Sequence, residues 1–517
     1  MLMNASWLST ASAFGGATAL LLTIIIARRK AHSSRLPYPP GPKPLPVIGN
    51  VLQLSATQPW LTYTAWKKIY GHLVRVRLIG MEFIVVNSEK TARALLDQRS
   101  AVYSDRPQVV HVAHKLYGIE WNTVMLPYGS KLRSHRKLYH YALRADSSLR
   151  QSEIYLRGAR VLLTGLLNDP ERFVTHIKGY VAAIVMGITY GYEVRSENDP
   201  YVSTVTELVE ILEKGLSPEK AAIISAFPFL AHIPAWLPGG KFQREALYSK
   251  KLAQKALNEP FEFVKTEMAA GTAAQSLVSD CLKQIDEKGN HEAQEFEIKA
   301  VAATAFLAGF ETSSSTLHTF ILAMVLYPEV QAKAQAEIDS VIGLTRLPGF
   351  EDKPSLPYIE GILREILRWN PILPISIPHA TSNEDIFEGY FIPKGACVVI
   401  NVWAMSRDEE KYPDPDEFKP ERHFASDGSL ISDSILNDPI FGFGRRICPG
   451  RFAAESLLWA AVVSILATFR IEKAKGADGH EIDVKKQFTT GMAIHPAPFR
   501  CAFVCRSAQR EKILRDT

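Results

Sequence analysis

The chain has 517 residues, 47% of them hydrophobic and 22% charged, and a formal net charge of +5. That balance excludes a disordered chain and a nucleic-acid-coating one, and it leaves material for a large core. The five cysteines, Cys281, Cys397, Cys448, Cys501 and Cys505, are too sparse and odd in number for a disulfide framework, which suits a domain facing a reducing compartment.

Residues Ala5 to Ala27 carry no charge, and Arg28, Arg29 and Lys30 follow at once. As a helix this span reaches roughly 35 Å, enough to cross a bilayer core of about 30 Å. Positive charge after the span and none before it favours an uncleaved anchor, residues 1–28, over a signal peptide, with the rest of the chain in the cytosol. Asn4-Ala5-Ser6 is then a lumenal sequon, so close to membrane and terminus that an unmodified Asn4 is an equal reading. Residues 29–50 include the string LPYPPGPKPLPVIGN and predict a semi-rigid spacer ahead of a catalytic domain over 51–517. Val74–Leu78 and Phe83–Asn87, with Gly80 between them, predict a hairpin, and helical periodicity resumes near Ser88. Tyr103 to Leu126 is aromatic, rich in histidine and without a clear period; His111 and His114 are read as surface or packing residues. Tyr128 to Lys137 opens a basic helix. Its Arg133, Arg136 and Lys137 form either a solvated face or a dock for an acidic partner.

From Glu153 to Lys299 the pattern is mostly helical. Phe227 to Gly240 is apolar, aromatic and broken by prolines. Gly271 to Asn290 is polar and reads as an exposed loop with some helix. Ala300 to Leu326 is a long apolar helix carrying Phe306 and Ala308-Gly309-Phe310-Glu311-Thr312. Ala308 and Thr312 share a face, the small residues leave room, and the threonine can bond back to a helix carbonyl or turn to hold water. Tyr327-Pro328-Glu329 starts a further helix. Glu365 and Arg368 face each other at i,i+3 on another, and a buried pair of that kind needs a third partner, for which Arg422 is the candidate. Leu373 to Pro378, including Ile375, is apolar and precedes His379. Gly389 to Gly395 is a turn between strands, Val398 to Asn401 a strand, and Thr489-Thr490-Gly491 a turn.

The densest chemistry lies in Phe441-Gly442-Phe443-Gly444-Arg445-Arg446-Ile447-Cys448-Pro449-Gly450. Glycines let the backbone approach something flat. A thiolate at the start of a helix, beside arginines, is a good axial ligand for haem iron. Arg446 is well placed for a haem propionate. This string fits Phe-x-x-Gly-x-Arg-x-Cys-x-Gly throughout. With Glu365-x-x-Arg368, Pro420-Glu421-Arg422 and the Glu311-Thr312 pair, the chain resembles the cytochrome P-450 family, above all its microsomal fungal members, over about residues 36 to 506.

The resemblance implies a single-domain haem-thiolate fold, mainly α with small β-sheets, behind an N-terminal transmembrane helix. It implies Cys448 as the iron ligand, and Phe441, Arg446, His379, Arg136 and Arg133 around the haem. Leu132 stands where the family usually has a propionate-binding tryptophan. Glu311 and Thr312 match the proton-delivery pair, with Ala308 and Gly309 leaving space beside the iron. Phe306, Leu373, Ile375 and Thr490 fall at pocket positions, and Glu365, Arg368 and Arg422 match a structural lock under the haem. The loop 227–240 is either a membrane-dipping gate or a buried connector. Haem b, dioxygen, a lipophilic substrate, an NADPH-dependent reductase, cytochrome b5 as a further donor and an endoplasmic-reticulum membrane are the implied partners and place. Haem-thiolate isomerases or dehydratases, which tend to lose the acid–alcohol pair, and a non-catalytic haem sensor or carrier are the competing classes.

Overall fold

The computed structural model describes residues 36–145, 151–194, 198–215, 236, 240–286, 289–431 and 434–515. The anchor 1–28, Asn4, the first part of the 29–50 spacer and nearly all of the 227–240 loop lie outside the described residues. The principal helices are Pro59–Tyr70 (α1), Gln108–Tyr117 (α2), Ser130–Ala142 (α3), Ser152–Asn168 (α4), Phe173–Tyr190 (α5), Pro200–Gly215 (α6), Lys241–Ala270 (α7), His291–Leu326 (α8), Pro328–Ile342 (α9), Pro357–Trp369 (α10) and Arg451–Thr468 (α11). The strands are Leu73–Leu78 (β1), Met81–Val86 (β2), His379–Ala380 (β3), Asp385–Phe387 (β4), Tyr390–Ile392 (β5), Cys397–Ile400 (β6), Phe469–Lys473 (β7) and Cys501–Cys505 (β8).

The expected hairpin is β1–β2. Its two-residue turn, Ile79 and Gly80, has φ of 47° and 82°, the doubly positive turn whose twist matches antiparallel strands. The sheet continues in the order β1-β2-β6-β3, with β2 and β6 parallel. Its strands alternate as the pleat requires. Leu73, Ile84, Val86, Val398 and Ile400 enter one buried cluster. Val74, Val76, Phe83, Val85, Cys397 and Val399 enter another on the opposite face.

The helical part is built around α8. Its 36 residues span about 54 Å. Asn290 caps the start by accepting the Ala293 N–H, and Pro328 cannot continue the helix beyond Tyr327. From Ile298 to Val325 most of α8 is buried on all sides, as a helix enclosed by others is. Side chains of α4, α5, α10 and α11 share its core, with Trp369, Trp459, Phe306, Phe310 and Phe320 fully enclosed.

Two stretches are more ordered than their composition suggests. Tyr103–Leu126 holds α2 and a 3-10 turn, Thr123–Met125. In the polar 271–290 stretch, Ser276 and Ser279 form a reciprocal cap on a short helix, Leu277–Leu282. That helix buries Leu277, Val278 and Cys281 in the main core, between flanking residues that are mostly exposed.

Candidate active site

Cys448 is held by its own loop. Its N–H donates to the Phe441 carbonyl at 2.7 Å, closing the Phe441–Cys448 turn, and its carbonyl accepts from Arg451 Nη1 at 3.1 Å. The turn needs its glycines: Gly442 and Gly444 have φ of 76° and 55°, and a Cβ on Gly444 would stand 2.0 Å from the Leu96 carbonyl oxygen. Gly444 N–H also donates to Asp97 at 2.6 Å, which ties the loop to the segment beside the sheet. Helix α11 starts three residues after the cysteine and backs it. Burial pushes the Cys448 thiol up, against the Gly450 amide and the Arg136 and Arg451 charges. Coordination to a metal removes such a proton outright.

Around this loop the structure gathers a basic cluster. Arg446 donates to the Ser104 carbonyl at 2.8 Å and the Leu126 carbonyl at 2.6 Å. Its Nη1 is buried without a partner. Arg136 on α3 donates to the Ile447 carbonyl. Arg106, which sequence reasoning missed, is buried and donates to the carbonyls of Val124, Ile377 and Pro378 at 2.9, 3.1 and 2.7 Å. Burial disfavours the charge of all three guanidiniums. Arg106 and Arg446 repel one another, as do Arg446 and Arg136, and Asp105 is the acid that opposes Arg106 and Arg446. A buried excess of positive charge with an unsatisfied N–H fits a ligand bearing carboxylates.

His379 belongs to the same cluster. It is buried on β3, and its Nδ1–H donates to the Tyr103 carbonyl at 2.8 Å. Burial, Arg106 and Arg446 hold it well below the usual histidine range. Its ring therefore sits beside Arg106 and Arg446, in the same basic cluster. Arg133 does not join them. It is exposed, over the Tyr128 ring at 5.8 Å. Leu132 is buried and has no side-chain hydrogen bond to offer.

On α8 the chemistry lies at a break in burial. Nearly every residue from Ile298 to Val325 is enclosed, yet Ala308 is exposed and Gly309, Glu311 and Thr312 are half-exposed. Thr312 Oγ1 donates to the Ala308 carbonyl at 2.7 Å. Glu311 accepts from Ser315 Oγ at 3.2 Å. The two small residues differ in role. Ala308 faces open space, whereas a Cβ on Gly309 would meet Val185 on α5 at 3.3 Å, so Gly309 serves close helix packing. Phe306 is fully buried against Phe310 in the core, with ring centroids 6.1 Å apart. Leu373 and Ile375 are half-buried, Ile375 against the sheet, and Thr490 is exposed in its turn.

Beneath the cysteine loop, Glu365 on α10 is wholly enclosed. It accepts from Arg368 at 2.8 and 2.7 Å, from Arg422 at 3.0 Å, from the Lys419 N–H at 2.9 Å and from His423 at 3.0 Å. Arg368 spends its other donors on the Ser406, Pro415 and Glu417 carbonyls. The expected third partner, Arg422, is present. His423 is a fourth that its neighbour's motif did not reveal.

The thiol on a rigid turn, the arginine cluster with its orphaned N–H, and the open face of a core helix together fit haem. Comparison with known proteins agrees. The Cytochrome P-450 family model matches residues 39–503. Cytochrome P-450 monooxygenase COX1 of Coprinopsis cinerea is 36% identical over 498 residues, 95% of each chain. A cytochrome P-450 monooxygenase of Armillaria gallica is 37% identical over 96% of this chain and 98% of its own. Cytochrome P-450 monooxygenase 176 of Postia placenta is 36% identical over 97% and 96%. The chain therefore belongs to the cytochrome P-450 family, as a haem-thiolate monooxygenase, an oxidoreductase that incorporates oxygen from dioxygen.

Proposed function

We propose that the protein is a membrane-anchored monooxygenase that places one oxygen atom on a lipophilic small molecule. The substrate class is a terpenoid, polyketide, steroid or aromatic compound, and electrons come from NADPH through a separate reductase. The observation that supports this most is the Glu311–Thr312 pair at the break in burial midway along α8. Haem b, when bound, supplies the reductive activation of dioxygen, with the cysteine thiolate pushing electron density toward oxygen–oxygen cleavage. The protein supplies orientation and protons. Cys448 holds the iron from a turn with little freedom. Arg446, Arg136 and Arg106 offer their charge to the propionates. Thr312 donates its own proton to the Ala308 carbonyl, so its oxygen remains free to accept from a water. Glu311, half-exposed, takes a proton from solvent and passes it to that water. Ala308, Leu373 and Ile375 present apolar surface to the substrate. Lys131, Arg133 and Lys137 on the exposed face of α3 suit an acidic electron donor, either the reductase or cytochrome b5. The uncharged span 5–27 and the charges after it support an endoplasmic-reticulum anchor with a cytosolic catalytic domain.

The test is turnover with a reductase and NADPH under isotopically labelled dioxygen, against a panel of lipophilic compounds read by mass spectrometry. One labelled oxygen in a product is the expected result and names the substrate class. Oxidation of hydrophilic compounds alone would overturn the substrate reading.

A further inference from the structure

The 3-10 turn Thr123–Met125 is joined to α3 and α8 through its first residue. Thr123, His135, Tyr139 and Thr304 are all buried there. Thr123 N–H donates to Thr304 Oγ1 on α8 at 3.1 Å. The Thr123 hydroxyl oxygen lies 2.8 Å from His135 Nδ1 and 3.2 Å from the Tyr139 hydroxyl, both on α3. Counting protons gives each contact a direction. Tyr139 O–H donates to the Val301 carbonyl at 2.9 Å, so its oxygen accepts from Thr123. The Thr123 hydroxyl spends its proton there and accepts from His135 Nδ1–H. Burial and Lys131 hold the His135 ring down to about 4, so near neutral pH it carries a single N–H, the one given to Thr123. Its Nε2 is enclosed with no hydrogen-bond partner. The bond to Thr123 is therefore the polar contact that this side chain makes. The same turn carries the carbonyls that aim two arginines. Arg106 donates to Val124 at 2.9 Å and Arg446 to Leu126 at 2.6 Å. Asn122 caps the turn by accepting the Val124 N–H at 2.9 Å. Arg136 follows His135 directly on α3. Thr123 thus ties together the turn and the helix on which the basic cluster rests, and fastens both to α8.

We propose that Thr123 and His135 are positioning residues for the haem propionates. This rests on Arg106, Arg136 and Arg446 meeting those carboxylates, with Leu132 unable to contribute a donor. The two side chains touch no propionate themselves. They fix the carbonyls that orient Arg106 and Arg446 and the stretch of α3 that bears Arg136, as outer partners fix the ligands of a metal site. Without the His135 Nδ1–H, the Thr123 oxygen loses its donor and the turn gains freedom. The arginines are then held less tightly in the direction of the carboxylates.

Two measurements on the haem-loaded full chain test this. The first is the rate of haem transfer to excess apomyoglobin. The second is the propionate-bending region of the resonance Raman spectrum, which reports hydrogen bonding to those carboxylates. H135Q places its amide nitrogen at the Nε2 end of the ring rather than at Nδ1, and T123V lacks the hydroxyl. We expect both to speed haem loss about tenfold, as the loss of an outer partner does, and to shift the propionate bands. H135N keeps a donor at the Nδ1 position and T123S keeps the hydroxyl, so both should match the wild type. R106L and R446L give the reference for lost propionate contacts. If R106L and R446L change both readouts while H135Q and T123V change neither, the positioning role is overturned and the arginines keep theirs. If the arginine variants change neither readout, both readings fail. Faster haem loss with unmoved propionate bands in H135Q and T123V would show a purely structural contact and overturn the proposal. Should T123V not load haem, the pair H135Q and H135N decides alone, and identical propionate bands in the two overturn it.

Discussion

Two glutamates on two core helices show how one side chain can be used in opposite ways. Glu365 is fully enclosed and accepts hydrogen bonds from Arg368, Arg422, His423 and the Lys419 amide. Glu311 is half-exposed, and among the described residues its hydrogen bond comes from the Ser315 hydroxyl. The first carboxylate is surrounded until only the charged form fits. The second keeps access to solvent and a neutral hydroxyl donor, the arrangement that the proposed proton delivery requires. A carboxylate that carries protons cannot also be a structural lock, because each protonation would dismantle the fold around it.

The largest expected effect comes from breaking the lock. Glu365→Ala strands Arg368, Arg422 and His423 in the interior and should cost about 3–5 kcal/mol, read by chemical denaturation. We expect most of the variant to lack the carbon-monoxide difference spectrum of a thiolate-ligated haem. If its stability stays within 1 kcal/mol of wild type, roughly the scatter of surface substitutions, the lock is not structural.

Glu311→Gln should do the reverse. Its product rate should fall about 100-fold, while its denaturation midpoint and carbon-monoxide spectrum stay those of the wild type. A matching loss of stability would put Glu311 with Glu365 and erase the contrast. Thr312→Val keeps the β-branched shape and removes the hydroxyl. It should cost no more than about 1 kcal/mol, the net worth of one hydrogen bond, and divert turnover from product to peroxide. Unchanged coupling would show that this hydroxyl holds no water used in the reaction.

The smallest effect is the pH response of stability. Burial pushes the Glu365 carboxyl up, but Arg368 and His423 outweigh it and hold the carboxyl below its usual range. The stability this contributes is complete above the unfolded value of about 4.3. It is lost as pH falls through the lower folded value. The wild type should therefore hold its unfolding free energy down to about pH 4 as far as this group is concerned, and lose it below. Glu365→Gln should lack that acid-side step. An identical acid slope in both proteins would assign the step to other carboxylates, of which Asp352, lowered by its bond to Arg346, is one.

How much of this was readable beforehand follows from how each residue is held. Cys448 with its glycines, and Glu365 with Arg368, sit in short strings whose spacing is dictated by one turn or one helix face, and they were legible. Arg106 was not. It is placed by three carbonyls from two distant segments, in an aromatic stretch with no period of its own. Arg133 and Arg136 look alike in sequence. Three positions on a helix turn one outward onto Tyr128 and bring the other to the cysteine loop. Some helix was expected in the polar stretch 271–290, but not its burial, which three apolar residues bring about.

The pair Ala308-Gly309 has a practical consequence for anyone wishing to redirect this catalyst. Side by side they read as one small-residue patch, and a mutant library would naturally vary both. The alanine is the more exposed of the two. The glycine is the seam where α5 closes on α8, with Val185 against it. Selectivity should be dialled at position 308, and position 309 left alone, because even a Cβ there would press on Val185 at 3.3 Å.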